Sequence, residues 1–265
     1  MRKRHASLFS GIGGFDLAAS WMGWDNVFQV ENNSWALKVL EKNFAQTKRY
    51  GDIKQFNGTP YRGSINVLSG GFPCQPFSYS GLQQGAEDYR YLWPEMFRVV
   101  GEIRPNFVVA ENVHGLLNWS QGLVFERVQA DLESEGYQVL PIILPACGVN
   151  APHQRDRIWF IAYLDHELST ISIQQRGQEK AGNINTSRLS SAWFDSNSER
   201  QRCQEQWETR AFKSNPTLPN LGRGNKSRVG GGVYGVPNRV DRIKGLGNAI
   251  VPQVAYEIFK AIEKL

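Results

Sequence analysis

A thiol sits in an uncommon setting in the stretch Gly70-Gly71-Phe72-Pro73-Cys74-Gln75-Pro76-Phe77-Ser78. The run Ile65-Asn66-Val67-Leu68 reads as a strand, and Ser69-Gly70-Gly71 lets the backbone turn freely after it. Pro73 and Pro76 bracket Cys74 and keep a helix from forming through it. A thiol displayed on a stiffened loop at a strand end can serve as a nucleophile once ionised. Most free cysteines are small buried hydrophobes, and the two flanking prolines weigh against that reading here.

Five further features could do chemistry. Phe107-Val108-Val109-Ala110 reads as a buried strand ending in Glu111-Asn112-Val113, and a glutamate at the end of an apolar strand is paired or functional. In Pro152-His153-Gln154-Arg155-Asp156-Arg157, Arg155 and Arg157 fall on one face of an extended segment, because side chains alternate with period two. Such a pair is either a solvated edge or a clamp for an anion or carboxylate. Gly11-Ile12-Gly13-Gly14 lies between a strand over 5–10 and a helix from Phe15 to Met22, where a ligand can approach backbone and helix N-terminus closely. Glu31 ends the next strand, Val27–Val30, roughly 20 positions after the glycines, which suits a pair of ribose hydroxyls or a helix-cap neighbour. Asp52, in Gly51-Asp52-Ile53, is a second strand-end carboxylate or simply a turn residue.

The elements that must position these groups alternate along the chain. Helices are expected at about 34–44, Pro94–Ile103, 121–135 and Pro252–Leu265, with further strands at 137–144 and Ile158–Ala162. Strands alternating with helices specify an α/β fold with an open sheet, whose chemistry collects at the strand ends. Residues 78–91 read as a polar loop. From about Leu164 to about 240 the apolar periodicity fades, and Ser, Asn, Gln and Gly take over. Between Arg210 and Lys244 eight basic residues face one acid, Asp241. That is a solvated surface, or, with glycines beside Arg223 and Arg228, a backbone able to lie close to phosphates.

Bulk composition sets outer limits. The chain has 265 residues and a net charge of +5, which suits an anionic partner. No apolar run is long enough to span a bilayer, and no apolar stretch follows the basic start, so neither membrane span nor signal peptide is expected. Three widely spaced cysteines without paired spacing argue against disulfides and zinc, and the four histidines add no metal signature; a reducing, cytoplasmic location is expected.

In combination these segments resemble the cytosine-C5 DNA methyltransferase family, over residues 5–163 and 236–265. SLFSGIGGFDLA is similar to the family's S-adenosylmethionine (AdoMet) loop and GGFPCQPFS to its nucleophile loop. ENV at 111–113 resembles the catalytic glutamate segment, QRDRI at 154–158 the arginine segment beside the flipped base, and GLGNAIVP at 245–252 the segment that closes the AdoMet pocket. The C-terminal stretch resembles most closely the short enzymes of phages and their bacterial hosts. The resemblance implies a Rossmann-like AdoMet-dependent methyltransferase sheet, formed by 1–163 and completed by 243–265, with a smaller, irregular target-recognition domain over 164–242.

It also implies roles. Cys74 attacks C6 of a cytosine flipped out of duplex DNA, Glu111 works at N3, Arg157 contacts O2 and Arg155 supports the nucleophile loop. For AdoMet it implies Phe9 beneath the adenine, Ile12 and Gly14 along the methionine, Glu31 on the ribose, Asp52 on the adenine amino group and Ile53 on its ring, with Pro73, Leu92, Asn248 and Ile250 completing the pocket. Ser78, Arg223 and Arg228 become candidates for DNA contact, with no metal. Two departures stand out: Asn32 follows Glu31 where the family often has Trp, with Trp35 three positions on, and His153 replaces a Gln. The implied partner is double-stranded DNA, the implied state a monomer, with a cognate restriction endonuclease acting separately. A tRNA cytosine methyltransferase of related fold and a DNA binder that has lost catalysis are the rivals; the retention of Cys74, Glu111 and Arg157 disfavours the second.

Overall fold

The computed structural model describes residues 2–73, 92–151, 153–164 and 239–265. Its centre is a seven-stranded sheet in the order β3-β2-β1-β4-β5-β7-β6. The strands are β1 (Arg4–Leu8), β2 (Asp25–Val30), β3 (Lys48–Tyr50), β4 (Val67–Gly71), β5 (Phe107–Val113), β6 (Tyr137–Pro145) and β7 (Asp156–Leu164). The first five in sequence run parallel, while β7 is antiparallel to both its neighbours, β5 and β6. The order 3-2-1-4-5 is that of a doubly wound sheet, in which ligands bind beyond the carboxyl ends of the strands, where the winding reverses between β1 and β4.

Among the described residues six α-helices flank the sheet: α1 (Gly14–Trp21), α2 (Ser34–Asn43), α3 (Trp93–Ile103), α4 (Leu123–Ser134), α5 (Arg239–Asn248) and α6 (Pro252–Glu263). The alternation of β-strand side chains divides the core. On one face Val67, Val109 and Trp159 meet Phe15, Ala18 and Ala19 of α1 and Val254, Ala255, Ile258 and Phe259 of α6. On the other, Leu68, Val108, Ala110 and Phe160 meet Trp93, Met96, Val100 and Ile103 of α3 and Val128 and Leu132 of α4. The C-terminal helix is thus a core element. Phe259, fully buried, stacks on Trp24 at 4.8 Å, and each such side chain contributes about 1.5–3 kcal/mol.

Sequence and structure differ in three places. The first strand stops at Leu8, because Phe9 takes φ 52°, outside the extended region. The helix expected over 121–135 starts at Leu123, after a 3-10 stretch at His114–Gly122 and a Gly122 at φ 89°. Residues 245–248, expected only as the stretch before the last helix, belong to α5. In the sheet β7, the last of the described strands in sequence, inserts between β5 and β6.

Candidate active site

The glycine loop leaves β1 with three residues at positive φ: Phe9 (52°), Gly11 (55°) and Gly13 (88°). Ser10 anchors it, its amide donating to the Val30 carbonyl at 3.1 Å and its own carbonyl accepting from Gly13 N at 2.9 Å. At Gly13 an added Cβ would lie 2.4 Å from the Phe44 ring and 3.0 Å from Leu40. Gly13→Ala should therefore cost about 1–3 kcal/mol of stability, combining backbone strain with overpacking, as read by denaturant unfolding. At Gly14 a Cβ would meet Cβ and the carbonyl oxygen of Ile250, each at 2.9 Å, so the loop and the segment after α5 already touch.

Glu31 lies beside this loop. Its carboxylate accepts from Gly11 N at 2.7 Å and from Asn33 N at 2.8 Å, and Asn33 in turn caps α2 through Trp35 N and Ala36 N. A carboxylate has about four acceptor positions, so two remain for hydroxyl donors. Asp52 accepts from Lys54 N at 3.0 Å and so is a turn residue with a second oxygen to spare. Arg98 of α3 holds the adjoining Ile53 carbonyl at 2.8 Å, and the Ile53 side chain is buried. Trp35, displaced in sequence from the position beside Glu31, lays its ring against Gly245: a Cβ there would sit 2.5 Å from Trp35 Cζ3 and 3.5 Å from Ile12.

At the end of β5, Glu111 is 9% exposed and pairs with Arg157 Nε at 2.9 Å. The register explains the pair, since Glu111 lies opposite Trp159 and Arg157 opposite Val113, all on the α1–α6 face. Burial pushes the Glu111 carboxyl up to about 7, against the pull of Arg157 and Arg155. Arg155, at φ 43°, donates to the carbonyls of Gly247 at 2.9 Å and Ala249 at 2.8 Å, bridging the arginine segment and the stretch that carries Asn248 and Ile250. Glu111, Arg155, Arg157 and Trp159 line one small cavity with Val251 and Val254 of the C-terminal segment.

The strand that leads to the thiol ends beside Glu111. Gly71 pairs with Glu111 across β4 and β5, and a Cβ at Gly71 would lie 3.2 Å from Glu111 Oε2 and 3.5 Å from Ile250. Asn112 Nδ2 holds the Phe72 carbonyl at 2.9 Å, and the Phe72 ring meets Trp93 at 5.1 Å. Leu92 precedes α3 at that point and, with Phe9, packs on the core cluster. Pro73 is the last described residue before the thiol; Cys74, Ser78, Arg223 and Arg228 lie outside the described residues.

The structure thus gathers Glu111, Arg155 and Arg157 at one end of β5 and β7, and sets Phe9, Ile12, Gly14, Glu31, Asp52 and Ile53 along the ends of β1 to β3, with Ile250 joining the two groups. Sequence reasoning missed the buried cluster beneath the loop. Ser7, Asp16 and Gln29 are fully buried there, and the one signal for it was Asp16, an acid two residues after Gly14. Among the described residues no helix is long and apolar enough to cross a membrane, and no group of His, Cys, Asp or Glu could hold a metal ion.

The type II methyltransferase M.Eco47II of Escherichia coli is 40% identical over 158 residues, 58% of this chain and 38% of that protein. M.HhaI of Haemophilus parahaemolyticus is 36% identical over 161 residues, 60% of this chain and 49% of that protein. The chain therefore matches less than half the length of either. Among solved structures, a candidate DNA modification methyltransferase encoded within an E. coli prophage superposes with a TM-score of 0.53 and 28% identity, over 66% of this chain and 49% of that one. The Dnmt2 methyltransferase of S. pombe superposes over 99% of both chains with a TM-score of 0.61 at 17% identity, which shows a shared fold. The family profile for C-5 cytosine-specific DNA methylases matches residues 4–227, most of the chain, and this match makes the chain a member of that family.

Proposed function

We propose that the chain is a DNA cytosine-C5 methyltransferase that uses AdoMet, with 164–242 as its target-recognition region. The observation that carries the reading is Glu111. It is a buried carboxyl near neutrality, ion-paired to Arg157 and paired across the sheet with Gly71, where the strand ends three residues before Cys74.

The residues fit the cofactor. Glu31 is oriented by two backbone amides with acceptor capacity left over, Gly14 and Ile250 leave no room for a side chain between them, and the N-terminus of α1 faces the loop. Phe9, Ile12, Gly14, Glu31, Asp52, Ile53, Pro73, Leu92, Asn248 and Ile250 would hold AdoMet, which when bound supplies an electrophilic methyl group. Arg155 ties this side to the base side through the Gly247 and Ala249 carbonyls.

The reaction itself needs help because cytosine C5 is a poor nucleophile. The Cys74 thiolate adds to C6, and the electron pair of the C5–C6 double bond moves toward C5 and the ring's N3 and O2. Glu111 in its protonated form gives N3 a proton or hydrogen bond as charge develops there, and Arg157 faces O2. Once C5 carries the methyl group, water takes the C5 proton, the double bond re-forms and the thiolate is expelled, while Glu111 recovers from N3 the proton it gave. The target base must leave the duplex to reach these groups, at a cost of a few kcal/mol, which phosphate contacts by Ser78, Arg223 and Arg228 would help to offset.

The test is transfer of labelled methyl from AdoMet to unmethylated duplex DNA, with the label recovered as 5-methylcytosine. A folded protein that binds AdoMet and labels no DNA would sink the reading, and tRNA would be the next substrate. Sequencing the modified sites reads the specificity, and sedimentation checks the monomer. DNA affinity is expected to fall with salt, log K dropping by about 0.9 per phosphate neutralised for each unit of log salt. An affinity indifferent to salt would contradict a phosphate-dominated interface.

A further inference from the structure

Directly beneath the glycine loop lies a buried carboxylate that the reaction does not use. Asp16, the third residue of α1, is fully buried and has no ion-pair partner among the described residues. The Ser7 hydroxyl lies 3.0 Å from each of its oxygens, and the Ser7 and Ser10 hydroxyls are 2.6 Å apart. Ser10 also reaches the carbonyls of Ser7 and Val30, at 3.1 and 3.3 Å. The carboxylate can only accept, so Ser7 must donate to it, and the Ser7 oxygen is then free to accept from Ser10. The charge therefore gives the relay one direction, Ser10 to Ser7 to Asp16. An amide at position 16 could both donate and accept and would leave that direction open.

What the relay holds is the base of the loop. Ser10 sits between Phe9 and Gly11, both at positive φ, and Gly11 N is the donor that orients Glu31. Loop residues in such conformations persist only where their surroundings over-determine them. We propose that Asp16 is a positioning residue of the cofactor site, acting through Ser7 and Ser10 to set the loop that presents Gly11 to Glu31. The proposal rests on the AdoMet reading of that site.

The neighbouring groups support the assignment. His5, on the same strand face as Ser7, is bonded through Nδ1 to Asn26 and through Nε2 to the Ser69 hydroxyl. Burial lowers it to about 4, so it brings no charge to the cluster at neutral pH. From β2, Gln29 and Asn26 face Asp16; Asn26 Nδ2 donates to the Asp16 carbonyl at 2.9 Å, while the Gln29 carboxamide lies close enough to act on the Asp16 charge without a well-formed hydrogen bond to any described residue. From α6, Phe259 packs against His5. Burial pushes Asp16 up to about 6, with Gln29 and Ser7 pulling the other way. A carboxyl whose pKa is raised on folding loses stability as pH rises through the folded value, so ionised Asp16 weakens the fold at neutral pH. A residue with a purely structural part would be better served by Asn.

The experiment compares wild type with Asp16→Asn, Ser7→Ala and the double variant, as full chains. AdoMet affinity is read by calorimetry, methyl transfer by kinetics, and exchange of the Gly11 and Gly13 amides by hydrogen–deuterium measurements. At pH 8 Asp16→Asn should unfold at higher temperature than wild type, yet bind AdoMet about tenfold more weakly, the scale of one hydrogen bond to a charged group. KM for AdoMet should rise with kcat nearly unchanged, and the double variant should lose little more than either single one. Wild-type affinity should decline as pH falls from 7 to 5, and that of Asp16→Asn should not. Wild-type exchange and affinity retained by Asp16→Asn at pH 8 would overturn the proposal. If wild type binds no AdoMet, the cofactor reading fails, and the exchange of Gly11 and Gly13 still decides whether Asp16 sets the loop.

Discussion

Cys74→Ala is expected to leave a folded protein that still binds AdoMet and whose methyl transfer has fallen by about 10⁴-fold or more, the scale of losing a covalent nucleophile. The structure supports the two halves of this expectation separately. Folding should survive, because both flanks are anchored without the thiol: the Phe72 carbonyl is held by Asn112, and the Phe72 ring lies against Trp93, whose Nε1 donates to Asp131 at 2.9 Å. AdoMet binding should survive because the glycine loop, Glu31 and Ile250 form their contacts independently of residue 74. Catalysis should not, since the strand that leads to the thiol ends with Gly71 beside Glu111 and the described residues at this site offer no other nucleophile there. Rates of label transfer, with calorimetric AdoMet binding and circular dichroism as controls, check the result. A variant retaining a tenth of wild-type transfer would remove Cys74 from the mechanism.

Glu111→Gln should reduce transfer by about 10²–10⁴-fold and change the form of the pH profile, which a loss of folding would not do. With the carboxyl pushed up to about 7, the protonated form that can serve N3 is depleted as pH rises above that value. Wild-type rate should therefore decline on the alkaline side. Gln cannot ionise, so the weak residual rate of the variant should keep rising with pH as the thiol ionises. The same raised pKa has a stability consequence of defined sign. Glu111 favours the fold at low pH, and that contribution is lost as pH rises through about 7. The variant's thermal midpoint should thus gain on wild type between pH 5 and pH 8, less whatever is lost by leaving the Arg157 guanidinium without its carboxylate. A variant with the wild-type alkaline decline would show that another group titrates.

Much of this was legible in the residues because local chemistry carries it. Prolines around Cys74, glycines before Phe15 and a glutamate closing an apolar strand each have a restricted set of physical explanations, and each lies at a strand end where an α/β sheet collects its ligands. The alternation of apolar runs likewise specified most strands and helices, since a period of two or 3.6 is a property of the chain itself. The side-chain roles and the target-recognition region came from resemblance, and they stand as proposals.

Tertiary structure decided what depends on partners distant in sequence. Nothing in Asp156–Leu164 says that it will run antiparallel between β5 and β6, yet that register alone puts Arg157 Nε 2.9 Å from Glu111. Arg155 reaches the carbonyls of Gly247 and Ala249 across more than ninety residues, a contact visible only once α6 has docked against α1. Trp35 meets Gly245 across two hundred, so its displacement from Glu31 in sequence does not exclude it from the surroundings of the loop. Asp16 reads in sequence as an acid in the first turn of a helix, where solvent would be its ordinary neighbour. Burial beneath the loop, against Ser7 and Ser10, is what gives it a raised pKa and a part to play, because desolvation is a property of the packed assembly and not of the residue.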